Sequence, residues 1–238
     1  MSREEHSTKD LIFYREIDCC LEPGVGHKAS FAISKEYLTD KTILDIGCWS
    51  GIYINLIKEV GSKMVVGIDI KSEALNVAKE TIPDSKFVQS SVFCLPFKKD
   101  SFDIVTLWHT IEHLPRNTEV KALGEINRVL KNNGKLFLAT PYNHILSKIL
   151  DPAYFLTGHR HYSKKKLEDL LVTGKFRIED HYLKGGIFSC FSVTMFYVFK
   201  YLFRKHCRLR ILKELVEKEY ARDSGGFEVI YLIARKTS

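Results

Sequence analysis

Residues 42–60 join an apolar strand, a glycine turn and a helix, and this unit constrains the fold more than any other stretch of the chain. The strand reads Thr-Ile-Leu-Asp-Ile, Gly47 and Gly51 bracket the turn, and apolar residues then recur at helical spacing until Gly61. A strand that enters a helix through such a turn directs backbone N–H groups and a helix N-terminus toward one point. The unit predicts a site for a small, partly anionic ligand.

The next predicted strand, residues 64–70, carries a carboxylate that narrows the identity of this ligand. Asp69 follows the glycine turn by about 20 residues, the spacing at which an acidic side chain meets a ribose diol. A dinucleotide-binding dehydrogenase is disfavoured, because its G-x-G-x-x-G fingerprint is absent: three other residues, including Trp49, separate Gly47 from Gly51. The pattern favours a different nucleoside-containing ligand.

Strand and helix patterns alternate along most of the chain. Further strands are predicted at 86–91, 102–108, 135–140, 176–183 and 227–234, and helices at 11–22, 28–38, 52–60, 71–82, 119–131 and 164–172, with a turn at 23–26. Strands that alternate with helices of this length form a parallel sheet covered on both faces. We therefore expect an α/β, Rossmann-like sheet of seven strands with a helical insertion before the last one.

Length and composition indicate one domain. The chain has 238 residues, of which 45% are apolar, enough for one large core. We divide it into an N-terminal helical lid (1–40), a core (41–186), an apolar and basic helical insertion (187–225) and the final strand (226–238). The polar N-terminus lacks the apolar region of a signal peptide, and six cysteines occur without C-x-x-C spacing. Both features favour a cytoplasmic protein with free thiols.

The insertion bears on the partners of the chain. Residues 187–203 are crowded with aromatic side chains, and 204–210 are mostly basic. The apolar run is at the short limit for a membrane span, but a helix with an apolar body and a basic end can lie in a membrane interface. A helix that caps the active site or forms a dimer contact is the alternative. We expect 187–210 to serve a hydrophobic acceptor and peripheral membrane contact, while the oligomeric state stays open.

Several short sequence segments occur in the same order as the motifs of a known protein family. They are Ile43-Leu44-Asp45-Ile46-Gly47-Cys48, Gly67-Ile68-Asp69, Leu95-Pro96-Phe97, Ser101-Phe102-Asp103-Ile104-Val105, Glu112-His113-Leu114 and residues 125–136. Together they resemble the class I S-adenosylmethionine-dependent methyltransferases, and within these the small-molecule enzymes of ubiquinone and menaquinone synthesis. The resemblance implies a last strand antiparallel to the others and S-adenosyl-L-methionine as cofactor, with S-adenosyl-L-homocysteine as product. It also implies in-line methyl transfer to a small, hydrophobic or lipid-like acceptor.

The resemblance also assigns cofactor-binding residues by position. Asp45, Gly47, Cys48, Trp49 and Gly51 would surround the methionine part, Asp69 would hold the ribose hydroxyls and Ile70 would pack on the adenine. Ser91 and Val92 would meet the adenine edge, and Leu107, Trp108 and His109 would face the sulfonium. Two positions depart from the family pattern. Trp49 replaces a glycine, so we expect its backbone to avoid positive φ and its ring to narrow the pocket. Ser91 replaces an acidic residue and is a weaker partner for the adenine amine.

A general base is required only if the acceptor must lose a proton. The candidates are His109 and His113 after the fourth strand, and His159 and His161 after the fifth. The string His109-Thr110-Ile111-Glu112-His113 also spells the H-x-x-E-H pattern of inverted zinc proteases. Pro115 would interrupt the helix that carries such ligands and no third ligand is evident, so we expect no metal. A divalent ion held by Glu112 and His113 is the remaining metal alternative.

Two other functions stay open. The net charge of +7 would suit a nucleic-acid methyltransferase, but no RNA-binding module or N-P-P-Y motif is present, and Thr140-Pro141-Tyr142-Asn143 is only a faint echo of the latter. Nucleic acid is therefore not the expected partner. A non-catalytic S-adenosylmethionine-binding protein would result if Trp49 blocked productive geometry.

Overall fold

A computed structural model describes residues 23–156, 158–199, 210–222 and 225–237. The predicted helix at 11–22 and most of the basic segment 204–210 lie outside these ranges. The strands are β1 (Thr42–Ile46), β2 (Met64–Asp69), β3 (Lys86–Gln89), β4 (Phe102–Trp108), β5 (Leu130–Pro141), β6 (Phe176–Lys184) and β7 (Val229–Lys236). The helices are α1 (Val25–Ser34), α2 (Ile52–Lys58), α3 (Ser72–Thr81), α4 (Glu119–Val129), α5 (Ile145–Ile149), α6 (Pro152–Leu156), α7 (Lys164–Thr173), α8 (Ile187–Val198) and α9 (Arg210–Ala221).

The seven strands form one sheet in the order β3-β2-β1-β4-β5-β7-β6. β1 to β5 pair in parallel, whereas β7 pairs antiparallel with both β5 and β6. The strand order reverses between β1 and β4, and ligands of open α/β sheets bind outside the carboxyl ends of the strands at such a point. The predicted seven-stranded sheet with its antiparallel last strand is confirmed.

Both faces of the sheet are covered. Helices α4 and α7 bury the larger core, in which Leu123, Ile126 and Leu167 are inaccessible to solvent. The opposite face carries Phe31 of α1 and Tyr53 and Ile57 of α2 against the centre of the sheet. Most apolar positions at helical spacing are therefore buried against the sheet, although Val120 of α4 is 39% exposed.

Several predicted boundaries need correction, and three of them have a clear physical reason. Helix α1 begins at Val25 rather than at residue 28, because Gly24 is the extended N-cap and Gly26 is tolerated in the first turn. The helix predicted to reach residue 131 ends at Val129, and β5 already begins at Leu130, which pairs with Phe102. The last strand begins two residues later than predicted because the N–H of Phe227 donates to the carbonyl of Gly185, closing the insertion.

Helices α5, α6, α8 and α9 form what we call the cap. Helices α5 and α6 follow the carboxyl end of β5, and α8 follows the carboxyl end of β6. Strands β5 and β6 run in the same direction, because each is antiparallel to β7. Helix α8 contacts α5, α6 and α9, and α9 also contacts α1. The Thr194 hydroxyl donates to the Leu150 carbonyl, and Lys28 and Glu217 form an ion pair at 3.1 Å. The cap therefore lies at the sheet edge where ligands bind.

Candidate cofactor and acceptor site

The turn after β1 is built on two glycines in the left-handed region, Gly47 at φ +74° and Gly51 at φ +81°. A Cβ at Gly47 would lie 2.3 Å from the Thr110 hydroxyl, so no side chain fits there. The N–H groups of Gly47 and Cys48 donate to the Ile68 carbonyl at 2.8 and 3.0 Å, which fastens the turn to β2. The turn is thus a fixed cradle at the switch point of the sheet.

Trp49 overturns one prediction. Its φ is +48°, so its backbone takes the left-handed conformation that the replaced glycine would have taken. That conformation costs a non-glycine residue about 1–2 kcal/mol. Two contacts offset this cost: the Trp49 N–H donates to Asp69 Oδ2 at 3.0 Å, and the Lys71 ammonium lies over the indole ring, 4.9 Å from its centroid. The turn keeps its shape although a glycine is missing.

Asp69 is buried at the carboxyl end of β2, and two backbone donors fix its carboxylate. Trp49 donates to Oδ2, and the Lys71 N–H donates to Oδ1 at 2.9 Å. An ionised carboxylate offers about four acceptor positions, so about two remain for a diol. The next residue, Ile70, is 72% exposed, an unusual state for an isoleucine beside a buried carboxylate. A fixed carboxylate next to a bare apolar side chain suits a ribose and an attached flat base.

Asp45 lies in the same cradle with its side chain almost completely buried. The Thr106 hydroxyl donates to Asp45 Oδ1 at 2.6 Å. Burial raises the pKa of Asp45 to about 7; the hydrogen bond from Thr106 opposes this shift and the negative charge of Asp69 adds to it. A carboxyl with a pKa in this range is poised to ionise when a cationic group arrives.

The remaining predicted cofactor-binding residues differ in how far their side chains are exposed to solvent. The Cys48 side chain packs with Ile54 and Leu75, Val92 and Leu107 belong to the main core, and the Trp108 ring packs among Tyr53, Phe137 and Tyr231. The side chains of Cys48, Val92 and Leu107 are buried, so only their backbones are available to a ligand, whereas Trp108 is half-buried. Ser91 is exposed, and its hydroxyl accepts a hydrogen bond from the Phe93 N–H at 3.3 Å.

Beyond β4, His109 and His113 flank a buried carboxylate. His109 has φ +46° and its N–H donates to the Ala139 carbonyl at 2.9 Å. Its Nδ1 lies 3.5 Å from Oε1 of Glu112, whose side chain is fully buried. Burial alone would raise the pKa of Glu112, but the contact with His109 and the charge of His113 outweigh it and lower the pKa. Desolvation lowers the pKa of the His113 ring, against the pull of Glu112.

Arg160, in the connection after β5, fixes the turn after β4. Its guanidinium donates to the backbone carbonyls of Ile111 and Leu114 at 2.8 and 2.6 Å and to that of Glu112 at 3.2 Å. It also pairs with the buried carboxylate of Glu119, which accepts a hydrogen bond from the Tyr162 hydroxyl at 3.0 Å. The connection after β5 is therefore anchored directly to the turn after β4.

Asp151 organises the two remaining candidate bases. Its Oδ2 lies 3.0 Å from His159 Nδ1 and 2.9 Å from His161 Nε2. His161 Nδ1 also faces the Tyr142 carbonyl at 3.1 Å, so both of its ring nitrogens are engaged with oxygen acceptors. The structure therefore argues against His161 as a free general base. Burial would lower the pKa of His159, but the contact with Asp151 and the charge of Glu112 raise it.

Several residues of the site escaped the sequence analysis. Thr106, Lys71, Asp151, Arg160 and His27 have no local motif, because each acts on a partner distant in sequence. His27 of α1 lies near His109, and burial together with that neighbour lowers its pKa to about 4. The His and Tyr residues of 142–162, with Asp151 as the single Asp among them, were the one available signal for this residue. A cavity of about 500 Å³ lies beside this connection, lined by Arg116, Lys148, Tyr154, His159 and His161 among others.

Residues 44–138 match the family described as "Methyltransferase domain". This stretch contains the glycine turn, Asp69 and the turn after β4. This stretch is therefore a methyltransferase domain, and its fold is that of S-adenosylmethionine-dependent methyltransferases. S-adenosylmethionine is the cofactor that this domain implies, and the fixed Asp69 carboxylate with the bare Ile70 side chain fits its ribose and adenine.

Known proteins resemble this methyltransferase domain over its core. The chain is 36% identical over 106 residues to a demethylmenaquinone methyltransferase of Lactococcus lactis, covering 42% of this chain and 41% of that one. It is 35% identical over 116 residues to a ubiquinone/menaquinone biosynthesis C-methyltransferase of Campylobacter jejuni, covering 46% and 48%. The crystal structure of an S-adenosylmethionine-dependent methyltransferase from Methanosarcina mazei has a TM-score of 0.61 at 20% identity, covering 86% and 96%. The match thus spans less than half the length of these two sequence relatives, whereas the structural likeness spans most of the chain and shows the fold.

Proposed function

We propose that the chain transfers the methyl group of S-adenosylmethionine to a small, apolar acceptor. The observation that carries the proposal is the Asp69 carboxylate, fixed by two backbone N–H groups beside the exposed Ile70. The left-handed φ of Trp49 keeps the turn in the conformation that a glycine would take, which supports catalysis over the non-catalytic alternative in which Trp49 blocks productive geometry. Nucleic acid remains outside the proposal.

The donor is a charged sulfonium, so the task of the protein is chiefly to align the acceptor behind the methyl group. Alignment of this kind supplies on the order of 7–11 kcal/mol of the barrier. The predicted contacts of the cofactor place its sulfonium near the end of β4, and His109 and His113 follow that strand. If the acceptor loses a proton, His109 and His113 are the candidate bases next to that strand, whereas both ring nitrogens of His161 face oxygen acceptors.

The cofactor half of the proposal is tested by calorimetry with S-adenosylmethionine and S-adenosylhomocysteine. Asp69→Ala should abolish binding of both ligands, because the diol loses its acceptor. Asp180→Ala is the matched control, since Asp180 is an exposed carboxylate on β6 and its loss should leave binding unchanged. Equal affinity of the wild type and Asp69→Ala would refute the assignment of the site.

Two observations support an apolar acceptor. The sequence relatives named above act in quinone synthesis, and the cap exposes a surface of large apolar side chains: Ile145, Leu146, Ile149, Tyr154, Phe155, Ile187, Phe188, Phe191, Phe196 and Val198. None of the helices within the described ranges has the length and apolarity that crossing a membrane requires. We therefore propose that this apolar cap surface, with the basic sequence 204–210, takes the acceptor from the surface of a membrane.

Co-sedimentation with vesicles tests this part. Wild-type chain should pellet with anionic vesicles more than with neutral ones, and Phe188→Ser with Phe191→Ser should reduce the bound fraction. The control is Val172→Ser, which removes an apolar side chain that is 71% exposed on α7, outside the cap. Equal binding by the double variant and the control would exclude the apolar cap surface as the contact.

A further inference from the structure

The cavity beside the connection after β5 carries an excess of positive charge. Its described lining residues include a single carboxylate, Glu119, and four permanent cations, Arg116, Lys148, Arg160 and Lys166. Arg160 already pairs with Glu119. Within the described ranges, the other three cations have no ion-pair partner. A concave surface with unmatched charge of one sign concentrates ions of the opposite sign, so the cavity favours an anionic ligand.

The three unmatched cations come from separate elements. Arg116 lies between the 3₁₀ turn Ile111–His113 and α4, Lys148 lies on α5, and Lys166 lies in the first turn of α7. Lys148 is half-buried, and its ammonium lies 5.9 Å from the centroid of the Tyr154 ring, which also lines the cavity. Lys166 adds its charge to the positive end of the α7 dipole. Cations that converge from three elements suit a ligand with several negatively charged oxygens.

Internal contacts fix the wall of the cavity before a ligand arrives. The guanidinium of Arg160 is held by backbone carbonyls of the turn after β4. The Asp151 carboxylate contacts both His159 and His161. Both Glu119 and Asp151 are thus engaged with lining residues, which leaves the three unmatched cations available to a ligand. A preformed wall also lowers the entropy cost of binding.

The cavity adjoins both the turn after β4 and the apolar cap surface. The ring of His159, a lining residue, lies 4.8 Å from that of His113, measured between centroids. Tyr154, another lining residue, contacts Phe155 of the same helix at 5.2 Å between ring centroids. Phe155 and Ile149 are 67% and 62% exposed. A ligand in the cavity can therefore extend toward the predicted position of the methyl donor and along apolar side chains of α5 and α6.

We propose that this cavity binds a phosphate group carried by the acceptor, while the apolar part of the acceptor lies against α5 and α6. The inference rests on the proposed function and specifies the acceptor as a phosphorylated amphiphile. A phosphate monoester carries a charge of about −1.5 to −2 and three strong acceptor oxygens, which suits contact with Arg116, Lys148 and Lys166 together. A carboxylate has less charge and fewer oxygens, so it matches fewer of these cations.

Calorimetry of the cofactor-free chain with octyl phosphate, octanol and inorganic phosphate tests the proposal. Octyl phosphate should bind at least about 10-fold more tightly than either of the other two probes, because only it carries both the charge and the apolar chain. Lys148→Gln and Lys166→Gln should each weaken the binding of octyl phosphate about 5- to 10-fold, through loss of one charge-assisted contact. Neither substitution should change the binding of octanol.

Lys165→Gln is the matched control, because Lys165 is an exposed lysine of the same helix that pairs with Asp169 and does not line the cavity. It should bind octyl phosphate as the wild type does. Circular dichroism identifies variants that fail to fold, and the exposed Lys166 keeps the test decisive if Lys148→Gln is one of them. Equal affinity of the wild type for octyl phosphate and octanol, or for octyl phosphate and inorganic phosphate, overturns the proposal. An equal loss in Lys165→Gln and Lys166→Gln does so too.

A membrane lipid offers the same phosphate chemistry, and vesicles that contain phosphatidic acid distinguish it from the acceptor. Lys166→Gln should co-sediment with these vesicles to the same extent as Lys165→Gln. A selective loss in Lys166→Gln would assign the cavity to a membrane lipid and overturn its assignment to the acceptor. The affinity for S-adenosylmethionine is measured on the same samples. A chain that binds this cofactor but not octyl phosphate contradicts the present inference alone, whereas the reverse result contradicts the proposed function.

Discussion

The pKa of Asp45 predicts that the affinity for S-adenosylmethionine rises with pH. Burial raises the pKa of this carboxyl to about 7, so the free chain holds it largely neutral in mildly acidic solution. The cofactor brings an ammonium and a sulfonium, and nearby positive charge favours the ionised carboxylate. Binding therefore lowers the pKa, releases a proton below about pH 7 and becomes tighter as pH increases.

The size of the effect follows from the ionised fraction of Asp45. With a pKa of about 7, roughly 3% of the carboxyls are ionised at about pH 5.5 and roughly three-quarters at about pH 7.5. If the complex requires the charged form, affinity should rise about 25-fold between these conditions, equivalent to about 1.9 kcal/mol. The stability of the cofactor-free fold depends on pH in the opposite direction. A raised carboxyl pKa stabilises that fold at low pH, and this contribution is lost as pH rises toward 7.

Calorimetry in two buffers of different ionisation enthalpy measures both the affinity and the proton release. Asp45→Asn keeps the size of the side chain and removes its titration, so its affinity should vary little over the same range. The difference between the pH dependence of the two proteins isolates the contribution of Asp45. The reasoning would be refuted if the affinity of the wild type did not change with pH, or if that of Asp45→Asn changed with pH as much as the wild type's does.

Three further predictions concern single substitutions. Gly47→Ala should lower the free energy of unfolding by about 2–4 kcal/mol, because the new Cβ meets the Thr110 hydroxyl and φ is positive. Gly124→Ala, with open space around it in α4, should raise the free energy of unfolding by about 0.5–1 kcal/mol. Urea denaturation measures both changes. Trp49→Gly should retain cofactor binding in calorimetry, whereas Trp49→Pro should abolish it, because proline cannot reach φ +48° and has no N–H for Asp69. Equal binding by both variants would contradict the role given to the Trp49 backbone. Arg160→Ala should cost about 3–5 kcal/mol in urea denaturation, because the buried Glu119 carboxylate keeps the Tyr162 hydroxyl but loses the guanidinium that neutralises its charge. The exposed Arg116→Ala should stay within about 0.5 kcal/mol, and similar losses in both variants would show that the ion pair is not decisive.

Much of the fold was readable in the sequence, because its signals are local. The run from Thr42 to Ile46, the glycines at 47 and 51, and the apolar spacing of α4 each specify their element within a few residues. The antiparallel β7 is different, because it followed from the resemblance rather than from the pattern of 227–234. Element ends were less predictable, since contacts such as the pairing of Leu130 with Phe102 decide where β5 begins.

The candidate site was predictable only where one residue type at one position carries the chemistry. Asp69 and Ile70 are of this kind. Trp49 was not, because its left-handed backbone depends on Asp69 and on Lys71, both about 20 residues away along the chain. Arg160 was hidden for the same reason, since the carbonyls that it binds precede it by more than 40 residues.

The insertion between β6 and β7 leaves and rejoins the sheet at almost the same point. The Phe227 N–H bonds to the Gly185 carbonyl, and the Glu228 N–H to the Lys184 carbonyl, so the two ends of the loop are clamped together. Because the closure entropy of a loop grows only slowly with its length, such a segment can lengthen, shrink or be exchanged with little effect on the folding of the sheet. On the proposed role of the cap, acceptor choice could diverge in such chains without change to the cofactor site, and grafting residues 186–226 between relatives should then change acceptor preference.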